Sequence, residues 1–165
     1  MKLFHGSNTE IVKIDLRLCK PYKDFGKGFY LTTLPNQAQR MAARTVRIFG
    51  GEPVVSVFDF DGNTDKLLVK HYPKPSETWA RFVINNRNRN YTEFSSPDCN
   101  HDAKYDIVIG PVANDDLALL FRQFENGYIT LDALTNGMIY KQLTDQYSFH
   151  TERALALLKH EGVYK

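Results

Sequence analysis

The chain has almost no cysteine. Cys19 and Cys99 are the only two in 165 residues, which excludes a disulfide scaffold and fits a reduced, cytoplasmic setting; nothing in the sequence supports a bridge between them. The five histidines are scattered, with no Cys-x-x-Cys and no His-Glu-x-x-His, so no metal site is expected. No apolar run approaches the ~20 residues of a membrane span. Met1-Lys2-Leu3-Phe4 begins like a signal peptide, but His5, Gly6, Ser7, Asn8 and Glu10 break the apolar region at once. Neither sign of charge dominates, with 21 Lys and Arg against 19 Asp and Glu. The formal net charge is +2, too mild to argue for nucleic-acid binding by itself. Internal repeats and low-complexity tracts are absent.

Aromatic residues are plentiful. Eleven Phe and nine Tyr bring the aromatic share to 13%, and 42% of the chain is hydrophobic. That composition describes an ordered core and excludes a disordered chain. A chain of this length is read as one domain, residues 1–165, able to bury most of its apolar surface without staples.

Local patterns set out the elements. Residues 2–6 read as a strand, 8–25 as an irregular loop and 28–33 as a second strand. Pro35 suits the first turn of a helix in which Ala38, Met41, Ala42, Thr45, Val46 and Phe49 recur at helical spacing, and Gly50-Gly51 stops it. Val54–Phe60 is a strand, and Leu67-Leu68-Val69 a short one. Ser76 caps a helix to about Asn88, with Trp79, Phe82 and Val83 on one side. Residues 91–103 read as a loop and Asp106–Ile109 as a buried strand. Asp115 and Asp116 open a helix through Phe124, ended by Gly127, and Thr130 caps another to Asn136-Gly137. Gln146–His150 reads as a strand, after which Thr151 caps a last helix through His160. Strands and helices alternate without a regular βαβ rhythm, so the expected class is α+β.

Two short motifs carry chemistry. His5-Gly6-Ser7 turns out of the first strand. Asp24-Phe25-Gly26-Lys27-Gly28-Phe29-Tyr30-Leu31-Thr32 runs through a Gly-x-Gly turn into the second. A Gly after His5 lets a ligand amide approach the backbone. A carboxamide has one acceptor and two donors, which suit a backbone C=O and N–H pair. The face of Tyr30 offers stacking for a flat cationic ring, and Gly26 and Gly28 keep the chain thin beside it. Gln146, in Asp145-Gln146-Tyr147-Ser148-Phe149, can hydrogen-bond a ribose hydroxyl but carries no charge. Each residue alone has an ordinary reading. A strand His packs or sits at an edge, a Gly-x-Gly marks a turn, a strand Tyr packs, and a strand Gln faces solvent.

Taken together, in order and spacing, these motifs resemble the ADP-ribosyltransferase superfamily of the His-Tyr-Glu type, which includes the poly(ADP-ribose) polymerases and diphtheria toxin. Over nearly its whole length, including Tyr105-Asp106-Ile107-Val108-Ile109-Gly110-Pro111, the chain looks most like a small bacterial group within that superfamily, long of unknown function. The resemblance implies a split pair of antiparallel sheets with an NAD cleft between them. It implies that His5 holds the adenosine-side ribose, that Tyr30 stacks on nicotinamide, and that Gln146 stands where the superfamily has its catalytic Glu. The expected catalytic set is His5, Tyr30 and Gln146, and the NAD-binding set is His5, Gly6, Ser7, Gly26, Gly28 and Tyr30.

The implied activity is mono-ADP-ribosyl transfer from NAD to a protein or nucleic acid, with NAD hydrolysis or silent NAD binding as alternatives. Gln in place of Glu argues against chain elongation. Compact bacterial transferases of this kind are often toxins, so a paired antitoxin protein is an implied partner; no membrane is.

Other residues have two readings each. Arg81–Asn90 is either a solvated helix end or a surface for a macromolecular acceptor. Arg17, Lys20, Lys23 and Lys27 form either a soluble loop or a basic lid over pyrophosphate. Asp24 reads as an Asx turn. Ser7 suits a ribose, and Thr32 and Thr33 read as strand residues. Asp106 and Asp115-Asp116 mark a strand start and a helix start. Alternation puts His150 on the Gln146 face of its strand.

Overall fold

A computed structural model describes residues 1–114, 116–139 and 143–165. Asp115, expected at the start of a helix, lies outside the described residues. The strands are β1 (Lys2–Ser7), β2 (Phe29–Leu31), β3 (Val54–Phe60), β4 (Val69–His71), β5 (Ile107–Gly110), β6 (Gln146–Phe149) and β7 (Leu158–Val163). The helices are α1 (Pro35–Phe49), α2 (Glu77–Arg87), α3 (Leu117–Glu125), α4 (Leu131–Gly137) and the single turn α5 (Glu152–Leu155). The class is α+β.

The strands form two sheets. One has the order β1-β3-β7 and is antiparallel throughout. The other has the order β2-β6-β5-β4. Its β4–β5 pair is parallel, so this sheet is mixed where antiparallel pairing was expected. A bridge between Phe4 and Thr32 joins β1 of the first sheet to the segment after β2 of the second.

Alternation along each strand explains the cores. Leu3, Phe29, Leu31, Phe58, Phe60, Ile107 and Phe149 pack together between the sheets. The opposite face of the second sheet meets α2 and α4 through Phe25, Trp79, Phe82, Val83, Val108, Leu134 and Met138. Helix α1 lies on β1 and β3 through only two fully buried residues of its own, Ala38 and Ala42. Small side chains there allow a close approach.

The C-terminal segment departs from the sequence expectation. Thr151 does cap a helix, accepting from the Ala154 amide, but that helix ends at Leu155. Leu158–Val163 becomes a strand on the free edge of β3, with register Phe60↔Leu158, Phe58↔His160 and Val57↔Gly162. The register shift between Val57 and Phe58 leaves Glu161 as the extra residue of a bulge. Gly162, at φ 117°, supplies the conformation that bulge needs. A strand edge with unpaired amides outweighs the local helix preference of Ala, Leu and Lys.

Candidate functional site

The site begins where the two sheets part. Phe4 and Thr32 exchange both backbone hydrogen bonds, at 2.8 and 3.0 Å. The N–H and C=O of Phe4 therefore point away from β3, and so do those of Gly6 two residues on. The ladder with β2 stops there. The Tyr30 carbonyl, which would face Gly6 in a continued ladder, instead accepts from the His5 ring, Nδ1 to O 2.7 Å. Among the described residues nothing takes up the Gly6 N–H and C=O. One donor and one acceptor are thus left side by side at the split.

His5 stacks on Phe29, with ring centroids 4.3 Å apart. Burial lowers its pKa, and the Tyr30 carbonyl opposes that only in part, so the ring is neutral near pH 7. With Nδ1–H donating to the carbonyl, Nε2 is an acceptor.

Tyr30 points to the other face of its strand from Phe29. Its hydroxyl donates to the Gly26 carbonyl at 2.7 Å and accepts from the Phe25 amide at 3.0 Å. Burial, and then the nearby Asp24 carboxylate, raise its pKa well above the ordinary phenol value. The hydroxyl therefore clasps the Gly-x-Gly turn. The ring stands edge-on to His150, centroids 6.2 Å apart.

Gln146 shares the Tyr30 face of the sheet, because Tyr30 pairs with Ser148 in register. It is 7% exposed. The expectation that it stands on a strand at the site holds for the strand, but its amide nitrogen is committed inward. Nε2 donates to Asp24 Oδ2 at 2.9 Å and to the Pro111 carbonyl at 3.0 Å. Asp24, read from sequence as an Asx turn, is a buried hub. Its Oδ1 accepts from Arg87 Nη1 at 2.7 Å, and its Oδ2 also accepts from the Ala113 amide at 3.0 Å. Its carbonyl accepts from Asn86 Nδ2. No local signal marks this role, since every partner is distant in sequence.

The glycines have a reason within the protein itself. A Cβ on Gly6 would lie 1.9 Å from the Ala38 carbonyl oxygen of α1. On Gly28 it would lie 2.6 Å from His150 Nδ1. Gly26 has φ 96° and backs onto the Asn100 carbonyl. All three make room for the protein itself. Ser7, at the end of β1, is half-buried, and its Oγ meets only Asn8 Oδ1 at 3.4 Å among the described residues.

Several other two-way readings resolve. Asn85, Asn86 and Arg87 turn inward, to Asp98, to Phe82 and Asp24, and to Asp24 respectively. Arg89 lies over the Tyr22 ring at 4.6 Å. Arg17 pairs with Asp15 at 2.7 Å. Lys23 has its pKa lowered by burial first, then by Lys20, Arg87 and Arg44, while Asp24 opposes them. Of these cations Arg87 pairs with Asp24 at 2.7 Å, and Lys20 lies over the Phe49 ring at 4.6 Å. Thr32 and Thr33 hold Asp145 through both hydroxyls, and Gln37 pairs with the Asp145 backbone. Asp106 is fully buried and accepts from Arg153, Thr151 and the Leu68 amide. His150 does share the Gln146 face, but it is spent on structure, bonded to Ser148 and the Lys27 carbonyl.

The segment 8–28 covers the split. Ile11, Ile14, Leu16 and Cys19 pack on the inter-sheet core beside Phe29, and the Ile11 amide donates to Ser56 Oγ at 2.8 Å. Two open concavities lie elsewhere, one lined by Asp59, Asp61 and Leu157 and the other by Lys2, Val57 and Tyr164; neither reaches His5, Tyr30 or Gln146. Among the described residues no cluster of three metal-ligating side chains occurs, and no helix is long and apolar enough to cross a membrane.

A family model described as "Protein of unknown function (DUF3990)" matches residues 1–160, and the chain belongs to that family. No curated protein and no solved structure matches it.

Proposed function

We propose that this DUF3990 protein binds NAD at the split between β1 and β2, cleaves the nicotinamide–ribose bond and transfers ADP-ribose to a protein or nucleic acid. One observation carries the reading. The His5 ring replaces the next rung of the ladder and leaves the Gly6 N–H and C=O without a partner among the described residues. That pair complements a carboxamide, accepting from its NH2 and donating to its oxygen.

The remaining groups suit the rest of the ligand. Neutral His5 offers Nε2 to a ribose hydroxyl. Tyr30 offers a ring held in place by its own hydroxyl. Gln146 offers Oε1. The cations around Lys20 and Lys23 suit a pyrophosphate. Segment 8–28 packs inward over the split, so NAD binding there requires it to shift.

The reaction needs little acid–base work. The C1′–N bond breaks, nicotinamide leaves as a neutral molecule, and the acceptor's lone pair forms the new bond to C1′. The acceptor's proton goes to solvent. The site contributes by holding nicotinamide and ribose in a fixed relation and by placing acceptor oxygens near the oxocarbenium-like carbon. Oε1 of an amide stabilises that charge less than a carboxylate would, which suits a single slow transfer.

Labelled NAD incubated with the protein and a cell lysate tests the reading. Transfer places label on a macromolecule, and protease or nuclease digestion then assigns the acceptor. Free labelled ADP-ribose means hydrolysis instead. A thermal shift with neither product means a binding module. No shift and no product with millimolar NAD overturns the proposal.

A further inference from the structure

We infer that Asp24 is a positioning residue that makes Gln146 a fixed hydrogen-bond acceptor toward the cleft. The inference rests on the reading above, in which Gln146 faces bound NAD. A primary amide has two hydrogens and one acceptor oxygen. Both hydrogens of Gln146 are spent, on Asp24 Oδ2 and on the Pro111 carbonyl. A flipped amide would set Oε1 against a carboxylate oxygen and a carbonyl oxygen, with no proton between them. Only one orientation is therefore tolerated, and among the described residues Oε1 has no protein partner in it.

Asp24 is itself fixed. It is 6% exposed, and the Arg87 guanidinium and the Ala113 amide hold its two oxygens. These partners belong to α2 and to the segment after β5, so the carboxylate is anchored from outside the Gly-x-Gly turn. The hub thus couples the loop that precedes Tyr30 to the strand that carries Gln146.

The pairing sets a rule for position 146. The side chain must donate toward Asp24 and accept toward the cleft, and an amide does both. A glutamate there would put two carboxylates in contact at a site where both residues are more than nine-tenths buried. One of them would stay protonated, or the pair would part. The exchange that restores the superfamily's Glu is then the damaging one. Asp24→Asn made together with Gln146→Glu removes the clash of two carboxylates, because the new amide donates to the new carboxylate. It also takes the acceptor from the Ala113 amide and leaves the Pro111 carbonyl facing a carboxylate oxygen, so it restores the contact only in part.

The test compares wild type, Asp24→Asn, Gln146→Glu and the double variant. Thermal melts are run from about pH 5 to about pH 8. Gln146→Glu should melt lower than wild type. The deficit should grow as pH rises, because the carboxyl's raised pKa favours the fold only while it is protonated. The double variant should recover part of the loss, the part that comes from the two charges. A Gln146→Glu protein that melts like wild type throughout, or a double variant whose loss is the sum of the singles, overturns the pairing.

Turnover tests the positioning itself. Gln146→Glu should lose about 100-fold in kcat for NAD cleavage with KM little changed, and the double variant should regain part of it. Recovery of stability without recovery of kcat overturns the positioning role. No turnover by wild type overturns the proposed function instead, and the melts then decide whether the pair exists.

Discussion

His150 joins β6 to the Gly-x-Gly turn, and its protonation state matters to the whole fold. With Nδ1–H donating to the Lys27 carbonyl, Nε2 accepts from Ser148. Burial lowers its pKa from 6.5 to about 4, against the Lys27 carbonyl and Asp106, which raise it. The unfolded chain binds this proton more readily than the fold does. The stabilisation is therefore complete above about pH 6.5 and is lost as pH falls toward about 4, an effect of roughly 3 kcal/mol at most. Denaturant melts across that window should show wild type weakening steeply and His150→Gln weakening less; His5, which burial shifts the same way, and the lowered carboxylates Asp106 and Asp15 share the remainder. Tyr30→Phe makes a second residue-scale prediction. It keeps the ring but strands the buried Phe25 amide and Gly26 carbonyl, so it should cost about 1–3 kcal/mol of stability. Equal melting of Tyr30→Phe and wild type would contradict the clasp. The nearness of His5, Gly6 and Tyr30 followed from a motif that is short and ordered along the chain, and His5 does bond the Tyr30 carbonyl. Asp24 was not, because its role depends on residues 86, 87, 113 and 146, which only the fold brings to it.

Helix α1 shows how closely one element is set against another. It rests on β1 through Ala38 and Ala42, and Gly6 is the residue that lets it come down. Gly6→Ala would force its new methyl against the Ala38 carbonyl and should destabilise by at least about 3 kcal/mol, since backbone blocks relief. A Gly6→Ala protein with unchanged thermal midpoint would contradict this packing. The N-terminus of α1 has no side-chain cap of its own. Asp145 compensates by accepting from the Thr33 amide and both threonine hydroxyls, while Gln37 brackets its backbone. Asp145→Ala should therefore cost about 1–3 kcal/mol and loosen α1 and β6 together, visible as faster amide exchange in both. Most elements were readable from capping residues and periodicity: Pro35 and Gly50 bound α1, and Ser76 caps α2. Strand β7 was not. Its segment Leu158–Val163 follows a good N-cap and helix-forming residues, and only the open edge of β3 turns it into a strand.

At the scale of the molecule, the two sheets share a dry core on one side and part at the Phe4–Thr32 bridge on the other. Composition and alternation foretold an aromatic-rich α+β fold. The sheet order did not follow from them, because β6 runs between β2 and β5, and β4 pairs parallel to β5. The parting leaves the Gly6 amide pair next to neutral His5, with segment 8–28 drawn over the gap. The whole account turns on that gap receiving the nicotinamide end of NAD. Calorimetric titration with NAD, made on wild type and on His5→Ala and paired with thermal melts, tests it most directly. The account predicts a binding heat and a raised melting midpoint for wild type. His5→Ala, which loses the ring on the Tyr30 carbonyl and the ribose acceptor, should bind at least about tenfold more weakly while remaining folded. No heat and no shift for wild type at millimolar NAD, or equal affinity in His5→Ala, would contradict it.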